Sequence, residues 1–536
     1  RAVTWGEPGW ESEDPAGAQA AYDQLAGLTV KKAQDQIVAQ LRQSGDLVGE
    51  PRPVTHAVKF WENGRRALEI ITNRQWFIRT MAHRDELLAL GRQLRWYPDW
   101  MQVRYENWVN GLNGDWNITR QRFFGVPFPL WYPLGPDGVP DYERPIVPDR
   151  ARLPVDPSSD VPEGYTEDQR DRPAGFTGDP NVMDTWATSS VTPQIVGGWA
   201  EDPDLFARVF PMDLRPQAHE IIRTWLFYSV VRSHFEHGVL PWREAAISGF
   251  VIDPDRKKLS KSKGNSPDDP VALIADYGSD AVRYWSANGR MGVDTAFDRN
   301  QFKIGRRLAT KVLNVSCFVL PRLGTDGPDL GVTEPLDAAA LVRLARVVEE
   351  ATGAFDTYDY TRALERTESF FWELCDDYVE LVKGRAYGTA GEAGAASASR
   401  ALGAALSTLL RLFAPFLPFV TEEVWSWWQE GSIHRARWPD AAELRSLGGN
   451  GDPRVLEVTA AVLAQVRKAK SQAKLSMRAP VAHLSVRCDA SQAALLGSAL
   501  ADLADAAGVV DGVGGVEVRV VTPEVGLPVA EVTLVE

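Results

Sequence analysis

The chain of 536 residues is 44% hydrophobic, which is enough for several domains with apolar cores and excludes an intrinsically disordered protein. A formal net charge of -14 argues against indiscriminate binding to nucleic acids, although a local basic stripe can still recruit a polyanion. There is no apolar run of membrane-spanning length, and the three cysteines lie far apart in sequence. This spacing argues against a disulfide framework or a CxxC metal site and favours a reducing, cytoplasmic setting.

The first 75 residues combine a Gly-, Pro- and acid-rich start with a helical pattern at Ala33, Ile37 and Leu41, and then an alternating segment over residues 68–72. No pattern here identifies a catalytic residue. Residues 134–180 are dense in Pro, Gly and Asp, so we expect a surface insertion there.

A stripe of large apolar residues lies between residues 221 and 228. Ile221, Trp225 and Tyr228 recur at helical spacing, which predicts one face of a helix. Such a stripe is most often part of a core, and the alternative is the wall of a ligand pocket.

Residues 256–267 (RKKLSKSKGNSP) form a strongly cationic segment with five lysines and arginines. An apolar run of strand length, 246–252, precedes the segment, and a helix start near Asp269 follows it. In open α/β sheets, ligands bind where such loops leave the carboxyl ends of strands, and lysines suit a polyphosphate. A solvated surface loop is the simpler interpretation of the composition alone.

A basic helical face is predicted next, because five cations recur at steps of three and four residues: Arg299, Lys303, Arg306, Arg307 and Lys311. Such a face either keeps a protein soluble or contacts nucleic-acid phosphates, and the pattern alone does not separate the two.

Residues 330–445 have the apolar periodicity of a helical bundle, and residues 388–400, rich in Gly, Ala and Ser, are predicted to form a loop within it. The predicted core positions are Phe370, Phe371, Leu374, Tyr378 and Leu381. The remaining residues begin with a helix whose cations at positions 467, 470 and 474 predict a basic edge, and short alternating strands follow.

Several of these stretches resemble class I aminoacyl-tRNA synthetases. Residues 258–262 (KLSKS) resemble the KMSKS signature, with Leu in place of Met, and 116–121 (WNITRQ) resemble the W-x-I-S-R-Q segment of the valine, isoleucine and leucine enzymes. Residues 184–190 (DTWATSS) are similar to a stretch of the valine enzymes, which makes Trp186 the most discriminating residue. Residues 370–378 (FFWELCDDY) and 414–425 (APFLPFVTEEVW) resemble the anticodon-binding bundle.

The resemblance implies an α/β plus all-α protein. It would comprise the second half of a Rossmann-type class I catalytic domain, an anticodon-binding helical bundle and a small C-terminal α/β appendage. The expected divisions are 1–75 for the tail of the editing (connective peptide) domain, 76–265 for the catalytic half with the insertion at 134–180, 266–328 for the stem-contact region, 329–445 for the bundle and 446–536 for the appendage.

The resemblance also implies the reaction of the valine enzymes, in which ATP converts valine to valyl-adenylate before transfer to tRNA(Val). It assigns catalysis to Lys258, Ser260, Lys261 and Ser262, ATP binding to Lys261 and Glu220, the valine pocket to Trp186, Ile221 and Trp225, and tRNA binding to the five cations between 299 and 311. Mg²⁺ would accompany ATP as substrate, and we expect no metal held by the protein, zinc included. We expect a monomer that acts in the cytoplasm without a membrane. The alternatives are an isoleucine enzyme and a non-catalytic tRNA-binding module.

The second signature of this class, H-I-G-H, lies at the opposite end of the nucleotide-binding fold, and no His-x-Gly-His occurs in the sequence. We therefore expect the chain to be a C-terminal portion that makes little or no valyl-adenylate alone.

Overall fold

The computed structural model describes residues 12–55, 57–60, 67–68, 73–253, 255–257, 259, 269–324, 331–521 and 526–535. The chain divides into two compact units, Arg1–Arg74 and Gln75–Glu536. Within the described ranges, no helix combines the length and the apolar character that crossing a membrane requires.

The first unit contains two helices, α1 (Pro15–Leu25) and α2 (Val30–Ser44). Helix α2 carries the predicted apolar pattern, begins after Thr29, whose side chain accepts a hydrogen bond from the Lys32 amide, and ends at Gly45, which has a left-handed φ of +83°. Residues 69–72 of the expected alternating segment lie outside the described ranges.

The second unit begins with short strands and helices around one parallel sheet. Its helices up to residue 253 are α3 (Arg84–Gln93), α4 (Gln102–Asn110), α5 (Thr185–Ser189), α6 (Thr192–Val196), α7 (Pro203–Val209) and α8 (Phe227–His237). Its strands there are β1 (Phe77–Ile78), β2 (Arg95–Tyr97), β3 (Trp116–Asn117), β4 (Thr119–Arg120), β5 (Trp131–Pro133), β6 (Phe176–Gly178), β7 (Val182–Met183), β8 (Met212–Ala218), β9 (Trp242–Ser248) and β10 (Val251–Ile252).

Strands β2, β9 and β8 form a parallel sheet in that order, with β9 in the centre. The run Ala245, Ala246 and Ile247 is buried, as expected for a central strand covered on both faces. Because Ala218 is paired with Ser248, the carboxyl ends of β8 and β9 meet at one edge. Ligands bind at this edge in open α/β sheets.

The predicted stripe at Ile221, Trp225 and Tyr228 does not form the core face of a regular helix. Residues His219–Ile221 form a 3₁₀ turn, Ile222–Leu226 form a π turn, and α8 starts only at Phe227. Ile222, Leu226 and Phe227 are buried instead, and the three stripe residues stay half-buried. Irregular turns of this kind often lie at functional sites.

The segment predicted to be a surface insertion packs against the apolar strand just before it. Strands β5 and β6 are antiparallel, and Trp131 and Phe176 on them are fully buried. Phe128, Leu130 and Tyr132 form a small separate cluster beside them.

From residue 269 onward the unit is mostly helical. The helices are α9 (Pro270–Tyr277), α10 (Ser279–Ala287), α11 (Arg299–Val319), α12 (Pro335–Asp356), α13 (Tyr360–Glu373), α14 (Val379–Ala386), α15 (Gly391–Phe413), α16 (Pro418–Ser426), α17 (Ala441–Gly448) and α18 (Arg454–Gln472), and strand β11 (Thr295–Ala296) pairs with β10 in parallel.

The predicted bundle core is confirmed, because Phe370, Phe371, Leu374, Tyr378 and Leu381 are all buried in one continuous apolar cluster. The prediction of a loop at 388–400 was wrong, since α15 begins at Gly391. Alanine favours a helix, and the buried Ser397 and Ala398 pack this segment into the core.

The last part of the chain has the predicted α/β composition. Its elements are β12 (Val481–Cys488), α19 (Ala490–Gly497), α20 (Leu500–Ala507), β13 (Val516–Val520) and β14 (Val529–Leu534), with β12 between a parallel β13 and an antiparallel β14.

The predicted basic edge on α18 was wrong. Lys470 is buried, and its Nζ donates hydrogen bonds to the carbonyls of Met477 and Ala507 at 3.0 and 2.8 Å. Arg467 donates to the Asp376 carbonyl at 2.5 Å and lies 3.4 Å from the Asp377 carboxylate. These two cations therefore join structural elements instead of forming a cationic surface.

A buried ionic network joins α20 to the bundle. Arg385 donates to both carboxylate oxygens of Asp337 at 2.8 Å and to Asp502 Oδ1 at 2.6 Å. The hydroxyls of Tyr378 and Ser397 also donate to Asp337, each at 2.7 Å. Every charged group in this cluster is thus matched by a protein partner.

Candidate active site

The four predicted catalytic residues of the signature, Lys258, Ser260, Lys261 and Ser262, lie outside the described residues. Their flanks are described. Before them, the Lys257 amide donates to Asp253 Oδ1 at 2.8 Å, and between them the Leu259 amide donates to the Val251 carbonyl at 3.3 Å. After them, Asp269 caps α9 by accepting a hydrogen bond from the Val271 amide at 3.0 Å. The signature therefore connects a strand to a helix start, as the sequence predicted.

The turn after β8 and the segment after β9 are in direct contact. The His219 ring packs edge-on against Phe250 with centroids 4.2 Å apart, and His219 Nε2 lies 3.6 Å from Asp294 Oδ1. The same Asp294 oxygen accepts a hydrogen bond from the Phe250 amide at 2.8 Å. These contacts bring the Glu220 turn next to the chain that leads into the signature.

A cleft of about 490 Å³ opens beside Glu220. Its lining residues are Arg104, Asn107, Trp108, His219, Glu220, Ile222 and Arg223. Arg104 and Arg223 are exposed and form no ion pair with any residue in the described ranges. A carboxylate among guanidinium and amide groups can hold the hydroxyls of a nucleotide while the cations attract its phosphates.

Trp186 and Trp225 lie on neighbouring elements, apart from that cleft. Asp184 caps α5 by accepting a hydrogen bond from the Trp186 amide at 2.6 Å, and it forms an ion pair with Arg120. Trp225 Nε1 donates to the Ser189 carbonyl at 3.0 Å, which ties the π turn to α5. The structure thus places the elements that carry the two predicted pocket indoles in contact, and Trp186, Ile221 and Trp225 are each half-buried.

Arg215 on β8 is a residue of this site that sequence reasoning missed. Its guanidinium carbon lies 3.1 Å from the ring centroid of Trp225 and 5.8 Å from that of Trp242. Burial lowers the pKa of Arg215 to about 10, because the charged form is desolvated. The only signal for it in the sequence is an arginine within a strand that is otherwise mostly apolar. It places a cation against Trp225, one of the residues predicted to form the pocket.

Four of the five predicted tRNA-binding cations line a single groove of about 620 Å³, the basic groove. Its lining residues are Tyr277, Lys303, Arg306, Arg307, Thr310, Lys311, Asn314 and Trp372. Arg307 and Lys311 lie 5.8 and 5.7 Å from the Trp372 ring centroid. Arg299, the fifth cation, begins α11 and is not among the lining residues.

Two family models match the chain. The model for tRNA synthetases class I (I, L, M and V) matches residues 21–298, and the model for the anticodon-binding domain of tRNA ligase matches residues 337–486. The chain belongs to the class I tRNA synthetases. This assignment confirms the predicted fold class, a class I catalytic part followed by an anticodon-binding helical part.

Similar class I synthetases include two curated proteins and a solved structure. The valine--tRNA ligase of Thermobifida fusca is 61% identical over 89% of this chain and 54% of its own length, and that of Salinispora arenicola is 58% identical over 96% and 62%. The chain therefore spans little more than half the length of these relatives. The Agrobacterium radiobacter K84 agnB2 LeuRS-tRNA-LeuAMS complex is 21% identical, with a TM-score of 0.50 over 62% of this chain and 42% of that one, and supports the fold alone.

No metal centre is found among the residues that the structure describes, since no three His, Cys, Asp or Glu side chains are grouped to hold an ion.

Proposed function

We propose that the chain acts in the valine--tRNA ligase reaction, the ATP-dependent activation of valine to valyl-adenylate and its transfer to tRNA(Val). The observation that carries the proposal is the 61% and 58% identity to proteins named valine--tRNA ligase. The hydrogen bond that ties the Trp225 turn to the helix carrying Trp186 supports it, because those two residues carried the resemblance to the valine enzymes.

The chemistry requires position and charge and no covalent enzyme intermediate. As the valine carboxylate attacks the α-phosphorus, negative charge develops on the departing pyrophosphate, and Lys261, assisted by Lys258, would stabilise it electrostatically. Ser260 and Ser262 would hold the loop backbone close to the phosphates. Mg²⁺ would enter with ATP as part of the substrate complex. Glu220 would bind the ribose hydroxyls in the cleft that it lines.

Selectivity for valine would come from contact area in the pocket formed by Trp186, Ile221 and Trp225. A small apolar pocket suits a β-branched aliphatic side chain. One methylene group changes the binding free energy by only about 1–3 kcal/mol, so contact alone separates valine from isoleucine only in part.

The tRNA would lie along the basic groove, where Lys303, Arg306, Arg307 and Lys311 can contact phosphates. Trp372 offers a ring face to an unpaired base. Arg299, at the start of the same helix, extends the basic face. The divisions at 75, 265, 328 and 445, the monomeric state and the cytoplasmic setting remain part of this proposal.

A chimaera tests the proposal directly. The region of the Thermobifida fusca ligase that matches this chain is replaced by the present 536 residues, and valylation of tRNA(Val) and valine-dependent pyrophosphate exchange are measured. We expect both activities with valine. The matched control is the same chimaera with Lys261→Ala, which should lose adenylate formation and keep tRNA binding.

The other outcomes identify the alternatives. Preferential charging with isoleucine would indicate the isoleucine enzyme. A chimaera that folds and binds tRNA but forms no adenylate with either amino acid would indicate a non-catalytic tRNA-binding module.

A further inference from the structure

Arg215 is a half-buried cation without a counter-charge among the described residues. Its guanidinium forms no hydrogen bond and no ion pair with any described residue, and its Nε is buried without an acceptor. The contact with the Trp225 ring satisfies none of its five donors. A buried donor without an acceptor is costly, so a site that keeps one on a cation is expected to receive an anion.

Two neighbouring polar groups are also unsatisfied. Gln217, two residues along the same strand and hence on the same face, is buried with no donor for its Oε1. The hydroxyl of Ser189 is buried without a partner, and the carbonyl of this residue accepts the Trp225 hydrogen bond. Arg215 needs a hydrogen-bond acceptor and Gln217 Oε1 needs a donor. The carboxylate of a zwitterionic amino acid supplies the acceptor, and its ammonium group supplies the donor.

We propose that Arg215 is a substrate-binding residue that pairs with an oxyanion of the substrate, either the carboxylate of the free amino acid or the phosphate of its adenylate. The inference deepens the proposed function and rests on it for the identity of the substrate. The planar guanidinium matches a two-oxygen anion in a bidentate manner, and the Trp225 ring holds it in place before the ligand arrives. The anion would then lie beside the indoles that bind the side chain.

Arginine labelling tests the pairing on the intact chain. Phenylglyoxal adducts at Arg215 are quantified by peptide mass spectrometry, with L-valine, L-valinol, AMP or no addition, and Arg411 is the internal control because burial lowers its pKa in the same direction. We expect L-valine to slow labelling of Arg215 about ten-fold at nine-tenths occupancy and to leave Arg411 unchanged. L-Valinol, which lacks the carboxylate, should not protect. Protection by AMP alone would identify the phosphate as the source of the anion.

Two variants complete the test. Arg215→Met keeps the bulk of the side chain and should weaken L-valine binding about ten-fold or more while L-valinol binding is unchanged. Arg215→Lys should recover only part of the loss, because an ammonium cannot form the bidentate pair. Equal labelling of Arg215 in all four conditions, or equal loss of valine and valinol binding in the Met variant, would overturn the pairing. If the chimaera charges tRNA but L-valine does not protect Arg215, the Arg215 site is refuted and the proposed function stands. If L-valine protects Arg215 but the chimaera does not charge tRNA, the proposed function is refuted and the Arg215 site stands.

Discussion

Arg215 in the parallel sheet is half-buried and has no carboxylate partner among the described residues, whereas Arg385 in the helical bundle is buried and paired. Arg385 donates to two carboxylates, Asp337 and Asp502, and to the Gly394 carbonyl, so its charge is balanced inside the protein. The rings of Trp225 and Trp242 lie against Arg215, and no acceptor for its donors is found in the part of the chain that the structure describes. The contrast separates a cation that stabilises the fold from one that, by our proposal, is kept for a ligand.

The largest effect is expected from Asp337→Ala. Removing this carboxylate leaves Arg385 only partly paired and deprives the Tyr378 and Ser397 hydroxyls of their acceptor. We expect the free energy of unfolding to fall by about 3–5 kcal/mol, measured by urea denaturation with circular dichroism. The matched comparison is Arg215→Met, which removes an unpaired charge and should cost less than about 1 kcal/mol. Equal losses would contradict the distinction between the two arginines.

A double substitution in the basic groove should have the next largest effect, on binding and not on stability. Lys303→Gln with Arg307→Gln removes two cations that face solvent, and we expect tRNA affinity to fall about ten-fold. The slope of log affinity against log salt should fall by about one to two, as measured by filter binding over a range of salt concentrations. Lys383→Gln, which removes a bundle cation paired with Glu380, is the control and should change neither quantity. An unchanged slope in the double variant would place the tRNA elsewhere.

The link between α10 and the bundle gives a pH-dependent prediction. Asp280 is buried and accepts hydrogen bonds from the amides of Phe419 and Val420, and burial raises its pKa above the ordinary 3.8. The folded state therefore holds the proton more tightly, and the contribution of Asp280 to stability falls as pH rises from about 4 through its raised pKa. Relative to Asp280→Asn, the wild-type chain should lose stability over that interval, as measured by denaturant unfolding at each pH. A difference that stays constant with pH would show that its pKa is not shifted.

The smallest effect is expected at Tyr358, which connects the bundle to the sheet. Its hydroxyl hydrogen-bonds to Glu244 on β9, its ring packs edge-on against Tyr97, and its backbone has a left-handed φ of +56°. Tyr358→Phe removes one hydrogen bond to a buried carboxylate and keeps the ring, so we expect a loss of about 1–2 kcal/mol in denaturant unfolding. Tyr358→Gly tests the backbone and the side chain together, because glycine relieves the strain of the left-handed φ while it removes the ring and its contacts.

Local sequence patterns were sufficient for the elements that flank the signature. The apolar run before it and the Asp269 start after it appear as β9, β10 and α9, because strand and helix ends are specified within a few residues. The indoles at 186 and 225 were found through their resemblance to relatives, and the structure supplied the Trp225–Ser189 hydrogen bond that ties their elements together.

What the sequence could not specify depends on distant partners. Lys470 appeared to be a surface cation, and its burial follows from carbonyls at Met477 and Ala507 that only the folded chain brings to it. Residues 388–400 have a composition that suits a loop or a helix, and packing against the core decided for the helix. Arg215 was missed because a single arginine within a strand has no distinctive spacing. Only the three-dimensional structure shows that no described residue pairs with it.

The hydrogen bond from Arg385 to Asp502 joins residues 117 positions apart. During synthesis on the ribosome, the bundle helices leave the exit tunnel well before α20 does. Until Asp502 emerges, one face of the Arg385 guanidinium has water in place of its second carboxylate. The bundle therefore acquires its final electrostatic balance late in translation, and nascent chains stalled shortly before residue 502 should be cut by protease far more readily than those stalled after α20 has cleared the tunnel.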